Sequence, residues 1–449
     1  MGKKIAILGG GVAGLVAART LAHYPEIEIE LFEGQDRLGG LHQSIYLNGL
    51  VFDIGAFEFS PYHELILAFP EILKHYLPIQ QVNRVVTPTG HLSPYPFSIA
   101  SYLQSYGRLD FLLGLASGLA GRLLYRQPLT LDAWVRFHIG NRFYRKTGLQ
   151  AYIERLYCGS TREVDLEFGR VRLAQIEAVG SLAQVVRQYL ASALRPRSKA
   201  QGQAAPPSPD STSGGGYPSL VRPRQGFAYL YDGMIKPLLQ AAGVAVTTSS
   251  QIYSIRRDPQ GFAITTDRGV TRCDQVISTL PLHTSARLCG LATGPAYLKY
   301  QPMVSLFYRF RGTIPSDATI LYNFTPSGSW KRIVFLSRYY GQHQGQDYFT
   351  VEVPGGNHTP MEDLTAAFEQ QITALNLMQG TYQYLGHATT QTAYPLYQVN
   401  AMAELRQTQT ALRAFGLELV GRQAEFSHIG SSQVAGQARQ LATALGEAA

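Results

Sequence analysis

The pattern of apolar and polar positions divides the chain into parts with different predicted structure. Near the start, short apolar runs at 5–8 and 28–32 predict two buried strands, and the small residues at 15–22 predict a helix between them. Towards the end, aromatic and β-branched residues alternate with polar ones from 304 to 353, which is typical of a sheet. These patterns together predict an α/β architecture.

The middle of the chain has a helical pattern instead. Apolar residues recur at spacings of three and four in segments near 98–125, 130–157 and 170–194. One run, FLLGLASGLA at 111–120, is apolar on all sides and lies between Asp110 and Arg122. Such a run favours a helix buried in the core, and a helix that touches a membrane or lines a lipid channel is the alternative.

A glycine-rich turn joins the first predicted strand to the first helix. Gly9, Gly11 and Gly14 have the spacing G-x-G-x-x-G, and Glu33 directly follows the second strand. Such glycines permit a tight turn and close approach of phosphates to a helix N-terminus, while the acid accepts hydrogen bonds from ribose hydroxyls. The sequence therefore predicts a site for a dinucleotide diphosphate.

The next segment indicates which dinucleotide. Residues 36–40 read DRLGG and residues 50–55 read LVFDIG. This resembles the superfamily of flavin amine oxidases, protoporphyrinogen oxidases and UDP-galactopyranose mutases, in which an Arg-x-Gly-Gly turn lies under the flavin diphosphate and ribityl chain. The resemblance implies FAD as the cofactor. It also implies a Rossmann-like FAD/NAD(P)-binding domain of three ββα layers, with an inserted helical cap and a mixed or antiparallel substrate-domain sheet.

The resemblance continues, in pieces, to the end of the chain. After 225 come strands near 252 and 262–266, a turn at 279–281, a Gly-Arg pair at 421–422 and a final helix at 432–445. A helix N-terminus beside the flavin would stabilise the negative charge of its reduced form. The FAD-binding residues implied by the resemblance are Gly9, Gly11, Val12, Ala13, Gly14, Glu33, Gly34, Arg37, Gly39, Gly40, Leu41, Ile252, Thr279, Pro281, Gly421, Arg422, Gly430 and Ser431.

The candidate catalytic residues are His42 and Glu58 near the flavin and Arg332 and Tyr394 around the substrate, together with Arg422. Arg332 follows Trp330 and occupies the place of the mutase segment whose arginine binds the nucleotide-sugar diphosphate, and a guanidinium suits phosphate or carboxylate. Each candidate also has a purely structural alternative. Arg332 could be a solvated charge on an edge strand, His42 could only support other residues, and Glu58 could form a salt bridge.

The resemblance implies an FAD-dependent oxidoreductase that takes a hydride from an organic substrate and passes electrons to dioxygen or another acceptor. A mutase is the second interpretation. Residues 55–59 lack the mutase histidine, residues 428–430 replace the mutase Tyr-x-Asp, and Val353 follows Glu352 where mutases have tyrosine. A third interpretation is a non-catalytic binder of the Rab GDP-dissociation inhibitor type, since one fold can serve several functions.

Composition and charge narrow the classes of protein to which this chain could belong. The chain has 449 residues, of which 45% are hydrophobic, so it can bury more than one core. Its three cysteines have no metal-binding or redox spacing, and we predict no metal site. The formal charge is +8, and residues 195–224 carry five basic residues against one aspartate, so half of the excess lies there. We therefore expect no nucleic-acid partner.

Segment 195–224 is rich in Pro, Ser, Gly and Ala, and this composition predicts a mobile surface loop, with a basic lid or partner-docking loop as the alternative.

With no leader pattern and no apolar run of about 20 residues, we expect a cytoplasmic protein without a transmembrane segment. Peripheral membrane contact and the oligomeric state stay open, and the expected partner is a small-molecule substrate. The predicted organisation is an FAD-binding domain at 1–80, 225–300 and 385–449, a helical cap at 81–194, a flexible insertion at 195–224 and a substrate sheet at 301–384.

Overall fold

A computed structural model describes residues 2–55, 57–96, 98–173, 218–291 and 298–449 of the protein. The strands are β1 Lys3–Leu8, β2 Ile27–Phe32, β3 Gln43–Leu47, β4 Leu50–Ile54, β5 Leu77–Ile79, β6 Asn83–Val86, β7 Leu92–Pro94, β8 Ser219–Val221, β9 Ala245–Thr247, β10 Ile252–Asp258, β11 Gly261–Thr266, β12 Gly269–Cys273, β13 Gln275–Ser278, β14 Tyr300–Thr313, β15 Ile320–Asn323, β16 Arg332–Val334, β17 Asp347–Pro354, β18 Gln379–Pro395 and β19 Leu417–Leu419.

The α-helices are α1 Val12–Leu21, α2 Glu64–Ala68, α3 Ile99–Leu124, α4 Leu131–Lys146, α5 Leu149–Tyr157, α6 Glu167–Arg172, α7 Phe227–Leu230, α8 Lys236–Ala241, α9 Leu282–Leu288, α10 Leu336–Tyr340, α11 Met361–Ala374, α12 Ala401–Phe415 and α13 Ser431–Glu447. Two short 3₁₀ helices cover Pro70–His75 and Gly356–His358. A π-helical turn at Tyr231–Ile235 joins α7 to α8, so the uniform helix expected after 230 is interrupted there.

The nucleotide-binding domain has three layers. Its central sheet is parallel, with the strand order β19-β13-β1-β2-β9. Ile5 and Ile7 of β1 face one core with α1 and α13, whereas Ala6 and Leu8 face a second core with the antiparallel strands β10–β12. Since neighbouring side chains of a strand point to opposite faces, one apolar run fills both cores. The Rossmann-like fold with three layers is confirmed.

The predicted substrate domain contains a seven-stranded sheet in the order β18-β14-β17-β16-β15-β6-β7. Its pairs are antiparallel except for β15 and β6, which run parallel. The mixed sheet predicted from the alternating pattern is therefore confirmed. The end of the long strand β18 at Tyr394 packs against the core that contains β13 and β19, so this sheet reaches the nucleotide-binding domain.

The helical cap contains α3 to α6, and glycines set the contact between its first two helices. A Cβ at Gly121 would lie 2.0 Å from the carbonyl oxygen of Arg136 in α4, and one at Gly114 would lie 2.5 Å from the Phe143 ring. The side of α3 with small residues therefore packs on α4, and the leucines point outward. The expectation that 111–120 is a core helix was wrong, because Leu112 and Leu119 are exposed. Residues 174–194 of the third predicted helical segment lie outside the described residues.

The end of the predicted mobile loop has a fixed structure. Strand β8 pairs with β5, Leu220 and Val221 are buried, and the side chain of Arg222 is fully buried. The expectation that 195–224 is flexible throughout was therefore wrong for 218–224. These residues are held because Arg222 finds a buried carboxylate partner in Asp53. Residues 195–217 lie outside the described residues.

Across the described ranges, every helix falls short of the length and apolar character needed to cross a bilayer.

Candidate active site

The first glycine turn lies where β1 ends and α1 begins. A Cβ at Gly14 would lie 2.0 Å from the carbonyl oxygen of Gly9, so only glycine lets the helix pack this closely on the strand. Gly9 has φ of 103° and contacts Thr279, whose N–H donates to Leu8. The N-cap of α1, Gly11, makes no capping hydrogen bond through a side chain. The first N–H groups of α1 are therefore available to a phosphate.

The second glycine turn lies directly beside the first. The N–H of Gly39 donates to the carbonyl oxygen of Gly10 at 2.9 Å, and a Cβ at Gly40 would lie 3.0 Å from Cα of Gly11. The backbones of the two glycine turns therefore lie side by side, with no side chain between them. The side chain of Arg37 is half exposed, 3.9 Å from Asp36, and does not take part in this contact.

Glu33 closes one side of the turns. Its Oε2 accepts the N–H of Gly10 at 2.7 Å and its Oε1 accepts the N–H of Gln35 at 2.8 Å. Burial raises the pKa of this carboxyl, while the backbone donors favour its charged form. Gly34 follows Glu33 in the chain. A Cβ at Gly34 would lie 4.0 Å from the side-chain oxygen of Gln251, the residue just before β10 begins at Ile252.

The last part of the chain returns to the same place. Gly421 has φ of 103°, and a Cβ there would lie 3.0 Å from Cβ of Ala13 in α1. Arg422 donates to the carbonyl oxygen of Ile429 at 2.6 and 3.0 Å, which fixes the turn that leads to Gly430. Helix α13 then begins at Ser431, whose Oγ is 2.8 Å from Nε2 of His63.

A buried ion cluster lies on the substrate sheet. Arg332 donates from Nε and Nη2 to the two oxygens of Glu352, both at 2.7 Å, and Nζ of Lys331 lies 2.9 Å from Oε2. Burial opposes the charge on Glu352, but Arg332 and Lys331 outweigh burial and lower its pKa to about 2. Arg332 is therefore a paired residue with a 13% exposed side chain on an inner strand, and not a solvated edge-strand charge.

Tyr394 joins this cluster to the nucleotide-binding domain. Its Oη accepts a hydrogen bond from Nζ of Lys331 at 2.9 Å, and its ring stacks on His428 with centroids 4.6 Å apart. The guanidinium of Arg422 lies 5.8 Å from the ring centre. Burial would raise the pKa of Tyr394, but the positive charges of Lys331, Arg332 and Arg422 lower it below its ordinary value.

Aromatic rings surround the cluster. The guanidinium of Arg332 lies 4.9 Å from the centre of the Phe57 ring. Tyr95 stacks on Tyr322 at 4.4 Å, and Tyr152 stacks on Phe324 at 4.7 Å. Aromatic rings prefer stacked or edge-to-face packing, so a flat group is the kind of ligand that would pack against these rings.

Glu58 is also buried near Arg332. It accepts hydrogen bonds from the Tyr339 hydroxyl at 2.7 Å, from the Thr319 hydroxyl at 3.2 Å and from the amide of Gln81. Burial raises the pKa of Glu58 to about 7, although its donors and Arg332 act against this. Glu58 can therefore gain or lose a proton near neutral pH.

His42 lies in a different environment from the one expected of a catalytic base. It packs among Phe59, Phe227 and Tyr231, and its Nδ1 is 2.6 Å from the Tyr231 hydroxyl. Burial, with smaller contributions from His63 and Arg422, lowers its pKa to about 3. The imidazole is therefore neutral at ordinary pH and holds the π-helical turn that begins at Tyr231.

Sequence patterns missed Lys331 and Glu352. The two residues lie 21 positions apart and meet only because β16 pairs with β17 in the register Arg332 opposite Glu352. The signal that could have identified Lys331 and Glu352 is a charged residue among inward-facing apolar positions, in β17 and just before β16, since buried charges require partners.

Comparison with known proteins decides the family. The family described as flavin-containing amine oxidoreductase matches residues 12–375, which is most of the chain. The chain belongs to this family. Protoporphyrinogen oxidase 2, chloroplastic/mitochondrial, from Arabidopsis thaliana is 29% identical over 121 residues, and the alignment covers 25% of this chain and 24% of that relative.

Solved structures of other proteins share the fold. Reduced UDP-galactopyranose mutase superposes with a TM-score of 0.77 and 20% identity, covering 100% of this chain and 95% of the mutase. A protein described as a protoporphyrinogen oxidase from Exiguobacterium sp. 255-15 gives a TM-score of 0.71 and 16% identity, with both chains covered completely. At these identities the likeness concerns the fold alone.

Membership of the flavin-containing amine oxidoreductase family makes FAD the cofactor and oxidoreduction the enzyme class. The residues of this chain fit that cofactor. Two glycine turns meet where side chains would clash, the N-terminus of α1 lacks a side-chain cap, and the carboxylate of Glu33 stands beside them. A dinucleotide diphosphate needs these three features.

Proposed function

We propose that this FAD-dependent oxidoreductase oxidises an organic substrate that carries an anionic group. The observation that carries the proposal is the excess of buried positive charge around Tyr394. Lys331 and Arg332 share the carboxylate of Glu352, and the guanidinium of Arg422 lies 5.8 Å from the centre of the Tyr394 ring.

Charge balance supports an anionic ligand. Buried charges are costly unless they are paired, and the three cations face one fully ionised carboxylate, Glu352, while Glu58 near Arg332 has a pKa of about 7 and is only partly ionised at neutral pH. Among the residues that the structure describes, Arg422 has no carboxylate partner and donates to the carbonyl oxygen of Ile429. A carboxylate or phosphate on the substrate would complete this arrangement, because guanidinium groups bind such oxygens with two parallel hydrogen bonds.

The protein would hold and orient the substrate, and FAD, when bound, would supply the redox chemistry, which is hydride acceptance and electron transfer to dioxygen or another acceptor. We assign FAD binding to the two glycine turns, to Glu33 and to the Gly421 turn that contacts α1. The substrate would bind between these turns and the β16–β17 ion cluster.

Two residues are proposed to handle protons. The positive charges that lower the pKa of Tyr394 favour its phenolate, and in that form Oη, which accepts a hydrogen bond from Lys331, could take a proton from a substrate amine or hydroxyl. Glu58, with a pKa of about 7, can store that proton within the buried region around Arg332. His42 is assigned a positioning role only.

Binding of matched probes tests the charge argument. The purified flavoprotein is titrated with benzoate and with benzamide, and the change in flavin absorbance gives each dissociation constant. We expect benzoate to bind at least about tenfold more tightly, because a charge-assisted hydrogen bond is about twice as strong as a neutral one. Arg422→Met should abolish this preference, and the exposed control Arg338→Met should retain it. Equal affinities in the unaltered protein would contradict the proposal.

Anaerobic bleaching of the flavin then tests the reaction. Amino acids and hydroxy acids are supplied with their amides as matched pairs, and the flavin absorbance is followed. Bleaching by an acid but not by its amide supports the proposed substrate class. Bleaching by amides alone would overturn it.

A mutase-like reaction is the second candidate. The stacked pair Tyr95 and Tyr322 beside Arg332 could hold a nucleotide and its diphosphate, and the solved mutase shares the fold over the whole chain. Incubation of the reduced protein with UDP-galactopyranose, followed by chromatography of the products, distinguishes the two. Ring-contracted product would favour the mutase, and unchanged nucleotide sugar would favour the oxidoreductase.

A further inference from the structure

One face of helix α3 exposes a continuous row of apolar side chains. The row follows the helical repeat of three and four residues and consists of Leu109, Leu112, Leu113, Ala116, Leu119, Ala120, Leu123 and Leu124. We call this row the leucine face. It spans about 22 Å at 1.5 Å per residue, and Leu109, Leu119 and Leu124 are 73%, 60% and 75% exposed.

The packing of α3 explains why the leucines cannot turn inward. Phe111, Gly114, Gly118 and Gly121 form the opposite face, and glycines there allow α4 to approach closely. A leucine at Gly121 would collide with the backbone of Arg136. The orientation is therefore fixed by the helix contact, and the leucine face is a stable feature of the surface.

Charged residues next to the leucine face are basic. Arg108 is exposed on one flank of the helix, and Arg126 is exposed just after its end. The one acid of α3, Asp110, points to the other flank and is bound by Arg142 and the Tyr102 hydroxyl. Leu129, 74% exposed, extends the apolar area beyond the helix.

We propose that the leucine face docks this enzyme on the surface of an anionic lipid bilayer. Contiguous exposed apolar surface marks an interaction site, and a helix with apolar residues on one face and basic residues at its flank lies in the interface between headgroups and acyl chains. Arginines at that depth meet lipid phosphates, which favours a bilayer over a neutral protein partner. Across the described ranges, α3 like every other helix is too short or too polar to span the bilayer, so it lies along the surface.

Vesicle flotation tests the proposal on the complete flavoprotein. Vesicles of phosphatidylcholine alone and of phosphatidylcholine with phosphatidylglycerol are mixed with protein and floated through a density gradient. The unaltered protein should float with the anionic vesicles and less with the neutral ones. The variant Leu119→Glu/Leu123→Glu should lower the partition coefficient at least about tenfold, because two apolar side chains that would insert into the bilayer are lost and two negative charges are added.

A matched control separates docking from general effects of charge. Leu67→Glu/Leu73→Glu makes the same chemical change at two exposed leucines of the nucleotide-binding domain and should float like the unaltered protein. All four substituted leucines are exposed, so flavin content and melting temperature should stay unchanged and confirm folding.

Three results would overturn the proposal. The first is failure of the unaltered protein to float with either vesicle. The second is equal flotation with neutral and anionic vesicles. The third is an oligomer in size-exclusion chromatography that Leu119→Glu/Leu123→Glu dissociates without any vesicle binding, since a second copy of the chain would then occupy the leucine face. None of these readouts depends on the proposed substrate.

Discussion

The buried ion pair between Arg222 and Asp53 gives the strongest stability prediction. Nε of Arg222 lies 2.6 Å from Oδ1 of Asp53, and both side chains are about 1% exposed. The other guanidinium nitrogens donate to carbonyl oxygens of Val51, Pro223 and Arg224 at 2.7–3.2 Å. This residue therefore joins strand β4 to the segment that follows β8.

Replacement of Arg222 by methionine leaves the carboxylate of Asp53 buried with only the Ser44 hydroxyl as a partner. Removing one member of a buried ion pair costs about 3–5 kcal/mol. At roughly 2–4 °C per kcal/mol for domains of 150–250 residues, the melting temperature should fall by at least about 6 °C. The double variant Asp53→Asn/Arg222→Met should recover part of this loss, because no uncompensated charge remains.

The assay follows flavin fluorescence during heating of the purified flavoprotein. Arg224→Met is the matched control, since Arg224 lies two positions away and its exposed side chain donates, among the described residues, to the carbonyl oxygen of Tyr340 alone. Its free energy of unfolding should change by less than about 1 kcal/mol. A fall in melting temperature for Arg222→Met no larger than that for Arg224→Met would refute the reasoning.

Three further predictions concern the site. Glu33→Ala should weaken FAD binding roughly tenfold or more, measured by the flavin retained after dialysis. The control Glu28→Ala should keep its flavin, and equal retention by the two variants would contradict the assignment of Glu33 to the ribose. Tyr394→Phe should lower turnover by roughly 100-fold with unchanged flavin content, and full activity would exclude it as the proton acceptor. The raised pKa of Glu58, from 4.5 to about 7, means that the folded state binds this proton more tightly, so stability falls as pH rises across that interval. Glu58→Gln should flatten this fall in a pH series of melting temperatures, and an unchanged slope would show that Glu58 does not cause it.

Local patterns are sufficient to propose the cofactor site because its proposed parts are close in sequence. Gly9, Gly11 and Gly14 lie within six positions, and Glu33 follows the next strand, so spacing alone indicates their geometry. The structure brings Gly39 and Gly421 to the same place, which the family resemblance implied.

The ion cluster could not be predicted in this way. Lys331, Glu352 and Tyr394 belong to different parts of a mixed sheet, and their contact depends on strand register, which no single segment encodes. Glu352 was instead counted against a mutase because of its neighbour Val353 in the sequence.

Two other differences also have physical causes. The run at 111–120 is apolar on all sides, so composition could not show that glycines would face α4 and leucines would face outward. Arg222 lies in a polar, proline-rich segment, and its burial depends on a carboxylate 169 positions earlier in the chain. In both cases a tertiary partner decided the outcome.

The central claim is that the two glycine turns and Glu33 hold FAD. The most direct measurement is to denature the purified protein, identify the released chromophore by its mass and determine how many molecules are released per chain. The same measurement is made on the variant Gly11→Val, whose side chain fills the space beside Gly40. The account predicts about one FAD per chain in the unaltered protein and loss of the flavin in Gly11→Val, because a side chain there blocks the approach of the diphosphate. A colourless protein that gains no flavin when incubated with FAD, or a Gly11→Val variant that retains it fully, would contradict the account.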